Sequence, residues 1–329
     1  MDSMKRECTV SILCAAYNHE PYIRSALDGF LSQRTDFAFE ILVNDDCSSD
    51  NTAAIIREYA ERYPKLIRPF YQPVNLYSLK KNVYDEVFIP KARGKYLALC
   101  EGDDYWTDPD KLRLQVEFME AHPEYSACVH NTVKHVCHSE QPDELLIPSP
   151  GDHPVPFELA VRGMSHAYHT SSLLARKDIM ARHPDFYYIS YSYGVGDYPD
   201  ALWLALNGPI WFIDRPMSVY RICSNPNSWS ADLDRDYNKR THFVIGEIDM
   251  LTALRAHVSG GQLEAVDREL HLRQYELMEL KGQSAQQLRP PYDEIYRSKD
   301  FKYRLKHFLK RSFPALHSLY RRKKGYGDW

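Results

Sequence analysis

The stretch Lys95–Pro109, KYLALCEGDDYWTDP, decides how the rest of the chain is read. Tyr96 to Cys100 is a short apolar run with the length and composition of a buried strand. It stops at Glu101-Gly102-Asp103-Asp104, followed by Tyr105-Trp106 and by Asp108-Pro109, a helix opening. Three carboxylates within four residues repel one another unless a cation or a ligand sits among them. The C-terminal ends of strands are also where open α/β sheets place their ligands. The plainer alternative is an acidic surface turn. A second acidic strand end upstream argues for a site.

That second end is Asn44-Asp45-Asp46, which closes the strand-like run Phe39–Val43. Around it the first hundred residues alternate strand and helix patterns. Val10–Ala16 is apolar and ends at Tyr17-Asn18, and Pro21–Gln33 places Ile23, Ala26, Leu27, Phe30 and Leu31 on one helical face. A helix capped by Ser49 or Asp50 runs to Tyr63, Leu66–Tyr71 is a third strand, Leu79–Pro90 a helix, and another helix runs from Asp108-Pro109 to Ala121. This alternation predicts a mostly parallel sheet with right-handed crossovers, so that all strand C-termini share one edge. Tyr17, Asp45, Asp46, Asp103 and Asp104 would then meet, although they are far apart in sequence.

Downstream, Tyr125–Cys137 reads as a strand, Gln141–Pro156 as a Pro-rich loop and Thr170–Ala175 as another strand. A Tyr-, Ser- and Gly-rich segment, Tyr187–Asp197, precedes a helix over Pro199–Asn207, and Ile210–Ile213 and Ser218–Ile222 read as two strands. From Asp232 the pattern is helical. Four regions are expected: residues 1–124 and 125–231 as the two halves of an α/β domain, 232–298 as a helical extension and 299–329 as a basic tail.

At 329 residues, with 44% apolar and 26% charged residues, the composition is that of a globular protein. No apolar run is long enough for a transmembrane helix, and residues 1–20 lack the basic-then-apolar order of a secretory signal, so a cytoplasmic chain is expected. The seven cysteines are scattered singly without a CxxC pair, which supports neither a zinc site nor a disulfide framework. Net charge is −4, yet residues 299–329 hold ten Lys/Arg against two acids, leaving −12 on the first 298.

One sheet edge could use this inventory on a nucleotide. Tyr17 can stack on a base, Asp46 can accept from a base N–H and Asp103 can bind a ribose hydroxyl. Asp104 can hold a hard divalent cation that neutralises a diphosphate. Neither GxGxxG nor GxxxxGK[ST] occurs, so the diphosphate would be held through the metal rather than a backbone cradle.

Across residues 8 to 230 the sequence resembles the family 2 glycosyltransferases of bacterial surface-polysaccharide type. The resemblance is carried by VSILCAAYN at 10–18, EILVNDDCSSDNT at 40–52, Asn75 and Asn82, and ARGKYLALCEGDDYW at 92–106. GDYPDALWLALNG at 196–208 and MSVYRI at 217–222 match more loosely. It implies a GT-A fold, Rossmann-like with a mostly parallel sheet flanked by helices, here with a C-terminal helical extension. It further implies a metal-dependent, inverting hexosyltransferase-type enzyme that moves a sugar from a nucleotide-diphosphate donor, UDP-linked by expectation, to a saccharide or lipid-linked saccharide in polysaccharide biosynthesis. Residue by residue, Ala15, Tyr17, Asp46 and Asp103 would bind the nucleotide. Asp104 would bind Mn²⁺ or Mg²⁺ as in the family's DXD element, and Asp197 would deprotonate the acceptor hydroxyl.

Inverting transfer needs one base opposite the leaving diphosphate, which suits Asp197; its plainer role is a helix N-cap, and Asp200 is its rival. Trp106 is either a platform for a sugar ring or packing at the start of the next helix. His169 is an acceptor-side contact or a structural residue, Arg221 a diphosphate contact or a solvated charge, and Trp229 a residue of a closing loop. Relatives often have a His after the Tyr-Arg pair, where this chain has Cys223, so a third protein ligand for the metal is not evident.

In the tail, aromatics and leucines from Phe301 to Tyr320 mix with Lys/Arg at near-helical spacing, interrupted by Pro314. Such a helix lies in the plane of an anionic membrane, peripheral to its inner face, or packs its apolar side on the catalytic domain. Nucleic acid is not expected as a partner, because the body of the protein is acidic. A nucleotidyltransferase would want a basic Gly-rich loop near the first strand, which CAAYNHEPY lacks. A nucleotide-sugar-binding module without turnover is the remaining alternative.

Overall fold

The computed structural model describes residues 7–137, 139–140, 142–148, 151–163, 166–193, 196–222 and 236–312. Strands β1 (Cys8–Ala16), β2 (Ala38–Asp45), β3 (Ile67–Tyr71) and β4 (Tyr96–Leu99) run parallel in the order β3-β2-β1-β4. Helices α1 (Ile23–Leu31) and α2 (Thr52–Arg62) connect the first three. These strands are apolar without alternation because both of their faces are covered. Val10, Ile12 and Cys14 of β1, Ile41 and Val43 of β2, and Tyr96 and Ala98 of β4 fill one layer with Phe30 and Ile56 from the helices. Leu13, Leu42, Leu97 and Leu99 fill the opposite layer with Phe88 and Leu204. A register that sets Ile12 beside both Ile41 and Ala98 keeps each layer in line.

Beyond β4 the sheet is mixed. After α3 (Ile89–Lys91), β5 (Tyr105–Trp106) and α4 (Lys111–Ala121) comes β6 (Ala127–Val136). Strands β7 (Glu144–Leu145) and β8 (His153–Pro154) are two-residue additions to β6 and to β10 (Ile210–Ile222). Strand β9 (Leu174–Arg176) lies antiparallel between β4 and β6, and β6 runs parallel to β10, which carries β5 antiparallel on its far side. Helices α5 (Phe157–Arg162), α6 (Lys177–Met180), α7 (Asp185–Ser192) and α8 (Asp197–Leu206) complete this unit.

Several expectations are corrected here. Ile210–Ile213 and Ser218–Ile222 are one strand rather than two: the register shifts on either side of Pro216, which has no N–H for the ladder, and the strand continues past it. Thr170–Ser172 forms a 3₁₀ turn, capped by the His169 side chain accepting from Ser171 N–H, before β9 begins. Helix starts within the predicted 79–90 segment only at a π-type turn over Tyr84–Phe88. The first part of the Tyr-, Ser- and Gly-rich segment Tyr187–Asp197, Tyr187–Ser192, belongs to α7. Cys137 is disulfide-bonded, whereas Cys8, Cys14, Cys47, Cys100 and Cys128 are free thiols, so the scattered spacing concealed one cross-link. Trp229 and residues 313–329 lie outside the described residues.

The chain divides into two compact units, residues 1–225 and 226–329. The second is helical: α9 (Tyr237–Leu254), α10 (Gly260–Leu280), α11 (Tyr292–Ser298) and α12 (Phe301–Ser312). Arg240–Glu276 at 2.6 Å and Arg273–Glu247 at 3.4 Å join α9 to α10. No helix among the described residues is long and apolar enough to cross a membrane.

Candidate active site

Parallel pairing brings the ends of β1, β2 and β4 to one edge, and backbone hydrogen bonds lock them there. Gly102 N–H donates to the Ala15 carbonyl at 2.9 Å, and Asp46 N–H donates to the Ala16 carbonyl at 2.9 Å. Both acidic strand ends are thus stitched to the two residues before Tyr17. Tyr17 itself is 48% exposed, as a stacking ring must be. A Cβ at Gly102 would come within 2.9 Å of both His19 Nδ1 and Ile23 Cδ1, so a larger residue there would have to push these two side chains aside. Asp46 accepts from the backbone N–H groups of Leu76 at 2.7 Å and Tyr77 at 3.2 Å, and Asn75 Nδ2 donates to its carbonyl. It therefore anchors the 75–77 loop beside the edge, with lone pairs to spare.

The acidic loop is fixed from the opposite side by β10 and the 169–172 turn. Asp104, only 2% exposed, accepts the Arg221 N–H through Oδ1 at 2.9 Å. Its Oδ2 lies 3.5 Å from His169 Nδ1. Arg221 Nη1 donates to the Asp103 carbonyl at 2.8 Å, and its guanidinium sits 4.2 Å from the centroid of the Tyr105 ring. His169 stacks on Tyr220 at 4.1 Å, and Ser171 Oγ donates to Ser218 Oγ at 3.1 Å. Arg221 is thus a clamp on the acidic turn.

Burial and repulsion between carboxylates raise the pKa values of Asp104 and Glu101. Asp104 is pushed well above the usual carboxylate range by burial and by Asp103, partly relieved by the Arg221 N–H. Glu101 is pushed up to about 8 by burial, Asp103 and Asp197. Glu101 and Asp197 are nevertheless open to solvent by surface area. Both facts hold together if the carboxylates line a recess, reachable by a ligand yet surrounded by protein. Asp103 Oδ1 is buried without a partner, and His19 Nε2 lies 3.7 Å from its Oδ2. The unpartnered Asp103 oxygen beside buried Asp104 fits a cation with Asp104 as ligand; the neighbouring His169 Nδ1 already accepts the Ser171 N–H and is not free to be a second donor. Among the described residues no group of three or more His, Cys, Asp or Glu is placed to hold a metal by itself, so a bound ion would draw the remaining ligands from diphosphate and water.

Asp197 opens α8, where the nearby backbone N–H groups of Asp197 and Tyr198 favour its charged form. Burial outweighs their effect and raises its pKa above the ordinary value. Asp197 reaches the acidic loop electrically, since its charge also raises Tyr220 after those of Asp104, Asp103 and Glu101. Asp200 is buried and turned toward His183 at 3.2 Å, which leaves Asp197 as the open carboxylate of the two.

Trp106 is not brought into the recess. Its ring is 3% exposed, set edge-on to Phe30 at 4.8 Å with Lys111 Nζ 4.0 Å from its centroid, and its Nε1 donates to the Ser171 carbonyl. The platform expectation is corrected to packing: a two-residue strand pairing with β10 turns the indole inward.

Residues 11–173 match the family described as Glycosyl transferase family 2. The protein carries a family 2 glycosyltransferase domain. Over 121 residues, 37% of this chain and 34% of the relative, the sequence is 52% identical to an uncharacterized protein of Mycobacterium tuberculosis. It is 35% identical over 108 residues to the uncharacterized glycosyltransferase EpsJ of Bacillus subtilis, covering 33% of this chain and 30% of that one. The matched segments thus span about a third of these relatives. Among solved structures, S. aureus TarS 1-349 in complex with UDP-GlcNAc superposes with a TM-score of 0.55 at 17% identity, covering 88% of this chain and 78% of that chain. The mannosyltransferase PcManGT from Pyrobaculum calidifontis, in complex with GDP-Man and Mn²⁺, gives 0.55 at 16% identity, covering 98% and 83%. The family 2 domain here has the GT-A-like fold of both, a mixed sheet flanked by helices with a helical extension.

Three features of the first unit escaped the sequence reading. Glu101 stood only as one of three clustered carboxylates, yet it is open to solvent and feels the charges of both Asp103 and Asp197. Tyr220 stacks on His169, and its signal was the MSVYRI block itself. The third is a buried network in which His183 bridges Asp85 at 3.1 Å and Asp200 at 3.2 Å while stacking on Tyr187 at 3.7 Å. No spacing links positions 85, 183 and 200, so only folding reveals it.

Proposed function

We propose that this protein is an inverting glycosyltransferase that moves a sugar from a nucleotide-diphosphate donor to a saccharide hydroxyl, on a lipid-linked carrier or free. One observation supports the reading: Asp197, at the first turn of α8, is open to solvent and near enough to Glu101 for its charge to raise the Glu101 pKa, so a candidate base and the acidic cluster could serve one ligand. In this reading Tyr17 stacks on the base beside Ala15, with Asp46 holding the adjoining loop and accepting from the base. Asp103 binds a ribose hydroxyl through its unpartnered oxygen. Asp104 would hold Mn²⁺ or Mg²⁺, which as a Lewis acid neutralises charge on the departing diphosphate. Asp197 takes the proton from the acceptor hydroxyl as its oxygen forms a bond to the anomeric carbon. The bond from that carbon to the diphosphate breaks on the opposite face, inverting the configuration.

The donors in the solved relatives, UDP-GlcNAc and GDP-Man, make nucleotide-sugars the substrates to screen, with UDP-sugars first. The deciding experiment measures nucleotide release by the purified chain with Mn²⁺ and a panel of donors, with and without oligosaccharide acceptors. Acceptor-dependent release lost in Asp197→Asn supports the reading; turnover unchanged in that variant removes Asp197 as base.

A further inference from the structure

Helix α12 (Phe301–Ser312) has its two faces the wrong way round for a packing helix. Tyr303 and His307, one turn apart, face its own unit: the Tyr303 hydroxyl bonds the Tyr275 hydroxyl at 3.0 Å and Glu279 at 2.5 Å, and His307 Nε2 meets Gln287 Oε1 at 2.9 Å. His307 is buried there against the Tyr296 ring. The strongly apolar side chains lie elsewhere. Phe301 is 72% exposed, Leu305 45%, Phe308 48% and Leu309 45%. At about 100° per residue these four positions form one stripe roughly opposite Tyr303 and His307. Lys302 and Lys306 border it on one side, Arg304 and Arg311 on the other, and all four are exposed. Residues 301–312 contain no acid at all.

We propose that α12 is a membrane-docking helix that lays Phe301, Leu305, Phe308 and Leu309 into the surface of an anionic phospholipid bilayer. Charge complementarity selects this occupant. Two basic borders flanking an apolar stripe match a layer whose headgroups are negative and whose interior, a few ångströms below, is hydrocarbon. A nucleic acid would satisfy the borders and leave the stripe in water. A second copy of the helix would bury the stripe but bring like charges together along both borders. The inference is independent of the sugar-transfer reading, because none of these side chains belongs to the site on the first unit.

The test uses the full chain and co-sedimentation with two vesicle types, phosphatidylcholine alone and phosphatidylcholine mixed with phosphatidylglycerol. Binding is expected only to the anionic vesicles, and it should weaken at high salt. The double variant Leu305→Glu/Phe308→Glu and the double variant Lys302→Glu/Lys306→Glu should each lower the partition coefficient by at least about tenfold. Because these side chains are exposed, both variants should keep the wild-type Tm and the thermal shift produced by nucleotide. Wild-type chain that stays in the supernatant, pellets equally with neutral vesicles, or pellets undiminished in both variants overturns the proposal. So does a lipid-free dimer that either variant splits, since a second copy would then cover the stripe.

Discussion

Replacing His183 by Gln tests the buried network that holds the start of α8. The His183 side chain is 2% exposed and lies between the Asp85 and Asp200 carboxylates. Burial disfavours its charge, but its bonds to Asp200 and Asp85 outweigh that and raise its pKa from 6.5 to about 9. The partners do not shift symmetrically: Asp200 is raised to about 6, because burial and repulsion from Asp85 and Asp197 exceed what one imidazolium returns. A histidine with a raised folded pKa adds stability that is fully present below its unfolded pKa and is lost as pH climbs through the folded one. The window here runs from 6.5 to about 9. At about 1.4 kcal/mol per tenfold change in proton affinity, protonation of His183 is worth roughly 2–3 kcal/mol near pH 7 and almost nothing by about pH 10. Urea unfolding of wild type and His183→Gln between these two pH values measures the gap directly. Glu101, Glu247 and Lys111, whose pKa values are displaced to about 8, 7 and 7, titrate in both proteins and cancel in the difference. A gap of the same size at both ends of the range, or no gap, refutes a charged His183.

The other expectations are briefer. Asp197→Asn should lower kcat by roughly 10²–10⁴-fold with nucleotide affinity unchanged. In wild type, kcat/KM should fall on the acid side through a pKa above the ordinary 3.8 of an aspartate, as burial of Asp197 requires. Asp104→Ala should abolish the extra thermal stabilisation that Mn²⁺ adds to a bound nucleoside diphosphate; an undiminished Mn²⁺ effect moves the ion elsewhere. Trp106→Ala should cost about 3–5 kcal/mol in urea unfolding as a core truncation. A stable Trp106→Ala protein with only a raised donor or acceptor KM would return the indole to the recess.

Much of the architecture was legible because both faces of the first four strands are covered. Their runs are therefore continuous and apolar, and the polar residues fall at the ends, where Tyr17, Asp46, Asp103 and Asp104 stand. Strand order and direction past β4 were not legible. Leu174–Arg176 is too short to announce an antiparallel insertion, and Pro216 looks like a break until its neighbours are seen to keep the ladder on either side. The same holds for Trp106, whose aromatic character suits a platform and a core equally, and only the approach of Phe30 and Lys111 decides.

The sequence alone determined that carboxylates would gather at one sheet edge, because parallel strands joined by crossovers put their C-termini there. It also determined that Lys95–Pro109 would be part of that edge and that the last thirty-one residues would be basic. Tertiary structure decided which carboxylates stay open and which are engaged. Asp200 is held by His183 while Asp197 is left facing the recess; Asp104 is clamped by Arg221 while one oxygen of Asp103 has no partner. It also decided that α12 would turn Tyr303 and His307 inward and leave its leucines and phenylalanines outside. Pattern specifies which residues can share a face. Which neighbour then takes each side chain depends on contacts between segments distant in sequence, and these exist only once the chain has closed.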